Sequence, residues 1–344
     1  METEKLISIQ LNSNKSKNFS EFVESIIKNA NNFQLIEILV SIDENDLKMI
    51  NTINKINENY PKLITYLETD MIKSFADAWK PLNILLKKTA KSVKFITCLS
   101  DDMRFMTKNW DKKILSYQDY YKDNIFRIRC SSNKNEFYDD IWQCGYKPEP
   151  IAFYTKEWLG ITQIWNPCIG PDSFNECIAF YMINSYGKEN NRDIVDNYLT
   201  FQGESVSTNL SLINRIQRSR IHYKAFFILM SYKIQSLAND KAYMLVCNIQ
   251  SKKVNFKKIN YFKIKYINFI RRFNFFYYRG SPNHLINSKI KNIIFFIFCY
   301  VKFLDVFLVR LIRYLYNKKI INKIVKNKYL LVQIESALKY EKNS

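Results

Sequence analysis

Short apolar runs and longer amphipathic segments alternate along the first 131 residues of the chain. Five runs are nearly continuous in apolar residues, which is typical of strands buried on both faces of a sheet. They are LISIQLNS (6–13), IEILVSIDEND (36–46), KLITYLE (62–68), VKFITCLS (93–100) and NIFRIRCS (124–131). Two segments, 17–32 and 74–91, carry apolar side chains at three- and four-residue spacing and predict helices, the second begun or kinked by Pro81.

This alternation predicts an α/β fold with a mostly parallel sheet flanked by helices. The pattern is looser from residue 132 to about residue 240, where we expect one clear helix over 171–187 and an apolar, helical stretch over 220–235. Ligands of parallel sheets bind beyond the carboxyl ends of the strands. Functional side chains are therefore expected at that edge.

Polar side chains follow three of the predicted strands at their carboxyl ends. Asn12 closes the first run, Asp43 closes the second, and Asp101 and Asp102 follow the fourth. Because these ends meet at one edge of a parallel sheet, we expect the side chains to converge. Two adjacent carboxylates suit a hard divalent cation such as Mg²⁺ or Mn²⁺. A turn with two solvated acids is the alternative that the pair alone leaves open.

Positive charge is concentrated in the C-terminal third. Residues 241–344 hold 22 lysines and arginines against three acids, a net charge of +19 out of +20 for the chain. This asymmetry predicts a boundary near residue 240 and an anionic partner, although a solvated basic face has the same composition. The seven cysteines include no C-x-x-C pair, which argues against a disulfide framework or a zinc site. The start, METEKLISIQ, lacks the pattern of a secretory signal, so we expect a cytoplasmic protein.

Four stretches, in this order, resemble the nucleotide-sugar-binding half of the GT-A glycosyltransferases, particularly the large inverting family 2. They are LISIQLNS, EILVSIDEND, AWKPLNILLKKTAK and ITCLSDDMRF, spread over residues 5–111. The resemblance implies a GT-A-like sheet, a nucleoside-diphosphate sugar as the donor, and Mn²⁺ or Mg²⁺ as the cofactor. It covers about a third of the chain.

The resemblance also implies roles for individual residues. It places Asp43 against the nucleobase, Asp102 on the metal, and Asp101 on the metal or the ribose. One position departs from the family pattern, because a strict D-x-D motif needs an acid where this chain has Ser100. The remaining candidate contacts of the nucleotide are Asn12, Ser13 and Asn83.

A transferase of this type needs a general base that takes the proton of the acceptor hydroxyl. The stretch IGPDSFNEC offers Asp172 and Glu176 for this catalytic role. Ser173 and Glu176 also match the capping-box pattern, which would make Glu176 structural. Nearby, Trp158 and Trp165 suit stacking on a sugar and ordinary core packing equally well.

This interpretation divides the chain into three parts. Residues 1–131 bind the nucleotide sugar, residues 132–240 bind the acceptor, and residues 241–344 form a basic, aromatic, helical extension. The expected activity is sugar transfer to a glycan or lipid-linked acceptor. The rival is a nucleic-acid-binding protein whose extension follows phosphates and stacks on bases. The aromatic residues of the extension cluster with Ile and Leu into long apolar faces, which favours the transferase.

The extension contains a segment, 292–319, that is rich in apolar residues but does not predict a membrane span. Its uninterrupted apolar run, 293–301, has nine residues, whereas a span needs about 20. Charged residues then follow on a single stripe of a helix. They are Lys302, Asp305, Arg310 and Arg313. Such a helix lies in the interface of an anionic membrane or packs on its own domain, and the pattern leaves both open.

The membrane alternative predicts that the full chain floats with vesicles containing anionic lipid and that a chain ending at residue 291 does not. The apolar face gains about 25 cal/mol per Å² by leaving water. Each basic residue near the surface adds about 1 kcal/mol, a contribution that weakens with salt. Flotation across a salt series measures both contributions. A truncated protein that still floats would contradict the assignment, and salt-sensitive binding to single-stranded DNA alone would favour the rival.

Overall fold

The computed structural model describes residues 4–72, 77–130, 151–168, 171–196, 198–203, 229, 231–260 and 262, with 171, 172, 202 and 203 described as backbone only. Contacts divide the chain into two units, Met1–Asn260 and Tyr261–Ser344. All described residues except residue 262 belong to the first unit. The helix predicted over 292–319 lies outside the described residues.

A seven-stranded sheet forms the centre of the first unit. Its strands are β1 (Ile7–Asn12), β2 (Ile36–Asp43), β3 (Ile64–Thr69), β4 (Phe95–Cys98), β6 (Arg127–Arg129), β7 (Ala152–Thr155) and β8 (Asp193–Val195), in the spatial order β3-β2-β1-β4-β7-β6-β8. A separate antiparallel ribbon pairs β5 (Met103–Phe105) with β9 (Phe201–Gly203). All five strands expected from the apolar runs are present in the large sheet.

Most of the sheet is parallel, as predicted. Strand β1 pairs in parallel with β2 and β4, β2 pairs in parallel with β3, and β6 with β8. Strand β7 is antiparallel to both of its neighbours, β4 and β6. The α/β fold class with a mostly parallel sheet is therefore confirmed, and the antiparallel β7 is an addition.

Helices cover the sheet, and their bounds are α1 (Ser16–Asn29), α2 (Leu47–Asn59), α3 (Trp79–Lys88), α4 (Trp110–Leu115), α5 (Lys156–Thr162), α6 (Pro171–Tyr186) and α7 (Tyr232–Ile249). Short 3₁₀ helices lie at Phe33–Leu35 and Lys188–Asn190. Helix α1 buries Phe19, Phe22, Val23 and Ile26, the positions that its apolar spacing predicts. Helix α3 keeps Pro81 at its third position, in the first turn, where a missing backbone N–H costs little.

Helix α2 was not expected from the sequence. Its segment, LKMINTINKINEN, is rich in Asn and Lys, and Met49 and Ile53 are its fully buried apolar residues. Asp46 caps the helix by accepting a hydrogen bond from the N–H of Met49 at 3.0 Å. This helix follows β2 directly and so brings its first residues to the carboxyl edge of the sheet.

The two faces of β1 are buried in different surroundings. Ile7, Ile9 and Leu11 belong to the main apolar core, which also contains Phe19 and Phe22 of α1. The alternate residues Ser8 and Gln10 are polar and equally buried. Gln10 donates to the hydroxyl of Thr89, just after α3, at 2.8 Å. Burial of a polar strand face is possible here because hydrogen bonds compensate it.

The small ribbon steadies the turn that follows β4. Phe105 of β5 packs against Trp110 and Phe201, with ring centroids 4.4 and 4.7 Å away. Residues 99–102 therefore run between two fixed strands, β4 and β5. This turn carries Asp101 and Asp102.

No helix in the described part of the chain has the length and hydropathy needed to cross a membrane. Helix α7 runs through residue 240, where the charge asymmetry of the sequence begins. The domain boundaries at residues 131 and 240 stay predictions.

Candidate functional site

The strand order creates a crevice at the carboxyl edge of the sheet. From β1 the chain moves to β2 on one side of β1 and then to β4 on the other. Such a reversal is where ligands of open α/β sheets bind, because the loops leaving the two central strands diverge. The loops after β1, β2 and β4 carry the residues that the sequence singled out.

One hydrogen bond joins the loops after β1 and β4. The hydroxyl of Ser13 donates to Oδ2 of Asp101 at 2.6 Å. The backbone N–H of Ser13 donates to the carbonyl of Ser41 in β2 at 2.9 Å, which attaches the same residue to the second strand. Ser13 is buried, and Asp101 is partly buried. The loops after β1 and β4 therefore meet through this pair of side chains.

Asn12 uses its side chain to hold the edge together. Its Nδ2 donates to the carbonyl of Ala78, at the start of α3, at 2.7 Å, and its Oδ1 accepts from the hydroxyl of Ser41 at 2.5 Å. Both polar atoms of the amide are engaged with protein. Its predicted contact with a nucleotide stays a prediction, and a positioning role agrees better with these bonds.

Asp43 ends β2 and is partly exposed. Asn14, in the loop after β1, donates from Nδ2 to Oδ2 of Asp43 at 3.5 Å, a long contact. The carboxylate therefore stands beside the same loop that holds Ser13. This location leaves it accessible to a ligand at the crevice.

The surroundings of Asp101 disfavour the ionised form of its carboxyl group. Burial raises the pKa of Asp101 above its ordinary value, and the neighbouring charge of Asp102 adds to the rise. The hydrogen bond from Ser13 and the charges of Lys15 and Arg104 act in the opposite direction. A carboxyl whose ionised form is poorly solvated at a strand end is a recurrent feature of functional sites.

Arg104 fixes the turn that carries the two acids. Its Nη1 donates to the carbonyl of Asp101 at 2.9 Å, and its Nη2 pairs with the carboxylate of Glu21 on α1 at 2.6 Å. The Asp101 backbone is thereby attached to α1. Asp102 follows in the same turn and is partly exposed.

A basic groove of about 320 Å³ lies beside the crevice, between the first turns of α1 and α2. It is lined by Asn14, Lys15, Ser16, Lys17, Asn18, Asp46, Lys48 and Met49. The lining includes three lysines and one acid, Asp46, and this excess of positive charge suits an anionic ligand. The sequence analysis singled out none of these three lysines as a ligand contact, and Lys48 could not be connected with the first loop because α2 was not expected.

Asn83 lies on α3, away from the groove lining. Its Oδ1 accepts from the N–H of Trp165 at 2.8 Å, and its Nδ2 donates to the carbonyl of Asn166 at 2.8 Å. The side chain thus attaches the segment after α5 to α3. The contact predicted between Asn83 and the nucleotide stays a prediction.

Trp158 and Trp165 both belong to the core. Trp158 is fully buried and Trp165 is 1% exposed. Their indole N–H groups donate to Asn175 at 3.1 Å and to Gln10 at 2.7 Å. The core alternative therefore holds for both residues, and neither presents a ring face to a sugar.

The two candidate bases occupy the first half of α6. Residue 172 is the second residue of this helix, and its side chain is not described. Glu176 is fully buried, and its carboxylate accepts from both terminal nitrogens of Arg127 at 2.5 and 3.3 Å. Glu176 thus receives its hydrogen bonds from an arginine and not through a capping box. A carboxylate enclosed in this way is not available to an acceptor hydroxyl in this structure.

The acids at the crevice fit a hard divalent cation. Within the described ranges, no three His, Cys, Asp or Glu side chains form a group that could hold an ion by themselves. Two carboxylates in one turn offer oxygen ligands to Mg²⁺ or Mn²⁺. The remaining coordination positions would be filled by water and ligand phosphates, which is how such ions commonly bind. Asp101 and Asp102 are the residues that would hold it.

The raised pKa of Asp101 predicts that replacing Asp101 by Asn stabilises the metal-free protein at pH 7. Since the folded protein binds this proton more tightly than the unfolded chain, stability falls as the pH rises from 3.8 through the raised pKa. The amide of the variant has no charge to desolvate, and its oxygen can still accept from Ser13. Melting temperatures in EDTA should favour the variant at pH 7, and the advantage should shrink toward pH 3.5. An equal advantage at both pH values, or one shared by Glu58→Gln on α2, would contradict this account.

No protein-family model matches the sequence, and no curated protein sequence matches it significantly. Solved structures do match. The mannosyltransferase PcManGT from Pyrobaculum calidifontis, in complex with GDP-Man and Mn²⁺, is 12% identical with a TM-score of 0.48, over 72% of this chain and 75% of that one. Residues 1–349 of S. aureus TarS with UDP are 13% identical with a TM-score of 0.48, over 82% and 76%.

The same TarS fragment with UDP-GlcNAc is 15% identical with a TM-score of 0.42, over 72% of this chain and 73% of that one. One of these structural neighbours is a mannosyltransferase, and the three structures hold GDP-Man, UDP and UDP-GlcNAc. Identities and TM-scores this low assign no family, so the assignment of function rests on the site itself.

Proposed function

We propose that the chain is a glycosyltransferase that moves a sugar from a nucleoside-diphosphate sugar to a hydroxyl of a glycan or lipid-linked acceptor. The observation that carries the proposal is the Ser13–Asp101 hydrogen bond at the strand-order reversal, with Asp102 in the same turn and a lysine-lined groove beside it. Carboxylates for a cation and ammonium groups for phosphates thus adjoin one crevice. Few ligands need both, and a nucleoside diphosphate is one of them.

The donor is proposed to lie across the loops after β1 and β2. Asp43 would accept hydrogen bonds from the nucleobase or ribose at the end of β2, and Asn14 would hold its carboxylate in place. Lys15, Lys17 and Lys48 would attract the anionic donor into the groove and offset part of its charge. Asn12 and Ser13 would keep the strand ends in register.

A divalent cation, when bound by Asp101 and Asp102, would offset the charge that develops on the leaving diphosphate. The residues of the chain prepare this site in advance. Ser13 orients one carboxylate, and Arg104 fixes the turn by binding a backbone carbonyl. The Asp101 carboxylate and the backbone of the turn would then need little reorganisation when the cation and the donor arrive.

The base is proposed to be Asp172, which would take the proton of the acceptor hydroxyl as its oxygen attacks the anomeric carbon. A single displacement of this kind inverts the configuration of the sugar. Two observations support Asp172 over Glu176. Residue 172 lies in the first turn of α6, at a helix end, whereas Glu176 is fully buried against Arg127.

The acceptor side and the location of the protein are proposed from the sequence. The basic extension, 241–344, would bring the catalytic unit to the cytoplasmic face of an anionic membrane, where lipid-linked acceptors are found. This association would be peripheral.

Replacing Asp102 by Ala should abolish metal-dependent turnover of the donor while the melting temperature stays close to that of the unchanged protein. The side chain is partly exposed, so its removal costs little packing, but one of two cation ligands is lost. UDP-GlcNAc and GDP-Man, the donors held by the solved structures named above, are the first to test, with Mn²⁺ or Mg²⁺ and with EDTA. Glu58→Ala on α2 is the matched control. Near-normal turnover by the Asp102 variant would show the metal assignment to be wrong.

Replacing Asp172 by Asn should leave donor binding unchanged and slow turnover by about 100-fold or more, since removing a general base typically costs 10²–10⁴ in rate. The acidic limb of the pH–rate profile should disappear with the base. Calorimetry with UDP and Mn²⁺ separates binding from rate. Should Asp172→Asn keep the wild-type rate and profile, another residue would have to be the base.

A further inference from the structure

Helix α6 is buried from Ser173 to Ala179, and two adjacent polar residues are buried with it. Asn175 and Glu176 are both fully inaccessible to solvent, between apolar neighbours such as Phe174 and Ile178. Buried amides and carboxylates persist in proteins only where partners satisfy them. Both residues have such partners: Glu176 bonds a strand residue directly, and Asn175 is linked to another strand through two tryptophans.

Glu176 attaches α6 to the strands on one side of the sheet. Arg127, the first residue of β6, donates to Glu176 through Nη1 and Nη2 and to Asp193, the first residue of β8, through Nε and Nη2 at 2.6 and 2.7 Å. Burial alone would lower the pKa of Arg127, but the carboxylates of Asp193 and Glu176 raise it above its ordinary value. The guanidinium therefore stays charged between a helix and two strands.

Asn175 attaches α6 to the centre of the sheet. Its Oδ1 accepts from the indole N–H of Trp158 on α5, and its Nδ2 donates to the carbonyl of Trp165 at 2.9 Å. The indole N–H of Trp165 in turn donates to Gln10 of β1 at 2.7 Å. The bonds run from the helix to the strand that leads into the donor crevice.

These two contacts restrict the placement of the helix. Neighbouring residues of an α-helix point about 100° apart, so bonds at positions 175 and 176 fix the rotation of α6 about its axis. Residue 172 lies one turn before Glu176, about 6 Å along the axis. The placement of its backbone relative to β1 therefore depends on the two buried contacts.

We propose that Arg127 and Glu176 are positioning residues for the general base at residue 172, acting by holding the first turns of α6. The proposal rests on the proposed function. A buried ion pair is a poor source of stability compared with apolar packing of the same volume, yet a paired fork of hydrogen bonds is strongly directional. A general base needs a fixed position relative to the acceptor hydroxyl, since small displacements of a catalytic group reduce the rate severely.

The test compares Glu176→Gln and Arg127→Lys with Asp111→Asn in the full chain. Asp111 is the matched control, because it is also a buried carboxylate, 1% exposed. It accepts from the backbone N–H groups of Asn31 and Asn32, which do not belong to α6. With UDP-GlcNAc or GDP-Man and Mn²⁺, both test variants should lower kcat about 10-fold or more while KM for the donor changes less than about twofold. The acidic limb of the pH–rate profile should remain, unlike in Asp172→Asn.

Amide hydrogen exchange provides a readout that is independent of activity. In both test variants, exchange should become faster at residues 173–178 and stay unchanged in β1 and β4. Faster exchange throughout the chain, or a loss of kcat no greater than that of Asp111→Asn, would overturn the positioning role. If the unchanged protein turns over no nucleotide sugar, the proposed function fails, and the role of residue 172 as a base fails with it. Local exchange would then decide only whether the two contacts hold the helix.

Discussion

Parallel pairing of β1 with both β2 and β4 determines where the polar residues of the candidate site lie. Three strands run in one direction, so their carboxyl ends meet at one edge and their following loops share one space. Ser13 is bonded to both neighbours there, through its backbone to Ser41 and through its hydroxyl to Asp101. A slip of one residue in the β1–β4 pairing would turn Ser13 to the opposite face and separate it from Asp101.

Two acids in this protein, Glu176 fully buried and Asp101 partly buried, have different partners. Burial raises the pKa of Glu176, and both terminal nitrogens of Arg127 donate hydrogen bonds to its carboxylate in opposition to that rise. Asp101 receives a single hydroxyl bond from Ser13, and the cations near it, Lys15 and Arg104, act from farther away. Asp101, whose hydrogen bond comes from an uncharged hydroxyl, is the carboxylate that we propose for an added cation.

The sequence predicted the features that depend on local patterns. Buried strands leave continuous apolar runs, so five strands and the acids that follow two of them were predicted from the sequence. The hydrogen bond between Ser13 and Asp101 was not predicted. Helix α2 was not predicted because few apolar residues mark its buried face. The placement of Lys48 in the groove was therefore not predicted either. The antiparallel strand β7 was not predicted, because its direction is set by pairing with strands distant in the sequence and no local pattern indicates it.

Individual roles were harder to predict because they depend on distant partners. The residue types at Asn12, Asn83 and Glu176 suit ligands and protein partners equally. Arg127 lies 49 residues from Glu176 in the sequence, and nothing near either residue indicates the pair. Asn83 meets the backbone of Trp165 across a separation of 82 residues. The polar residues of a motif therefore predicted the region of the candidate site better than they predicted the role of each residue.

Strand β1 connects the two halves of the proposed mechanism. Its last residues lead into the crevice, where Asn12 and Ser13 bond β2, α3 and Asp101. Two residues earlier, on the polar face of the same strand, Gln10 accepts the indole N–H of Trp165, whose carbonyl holds Asn175 of α6. The buried polar face of β1 costs desolvation, yet it lets one strand position both the donor edge and the helix that begins at the proposed base. Both attachments start from nearby positions of one strand. Displacement of α6 relative to the crevice would therefore break buried hydrogen bonds, which is costly. That cost would keep the proposed donor site and the proposed base at a fixed separation.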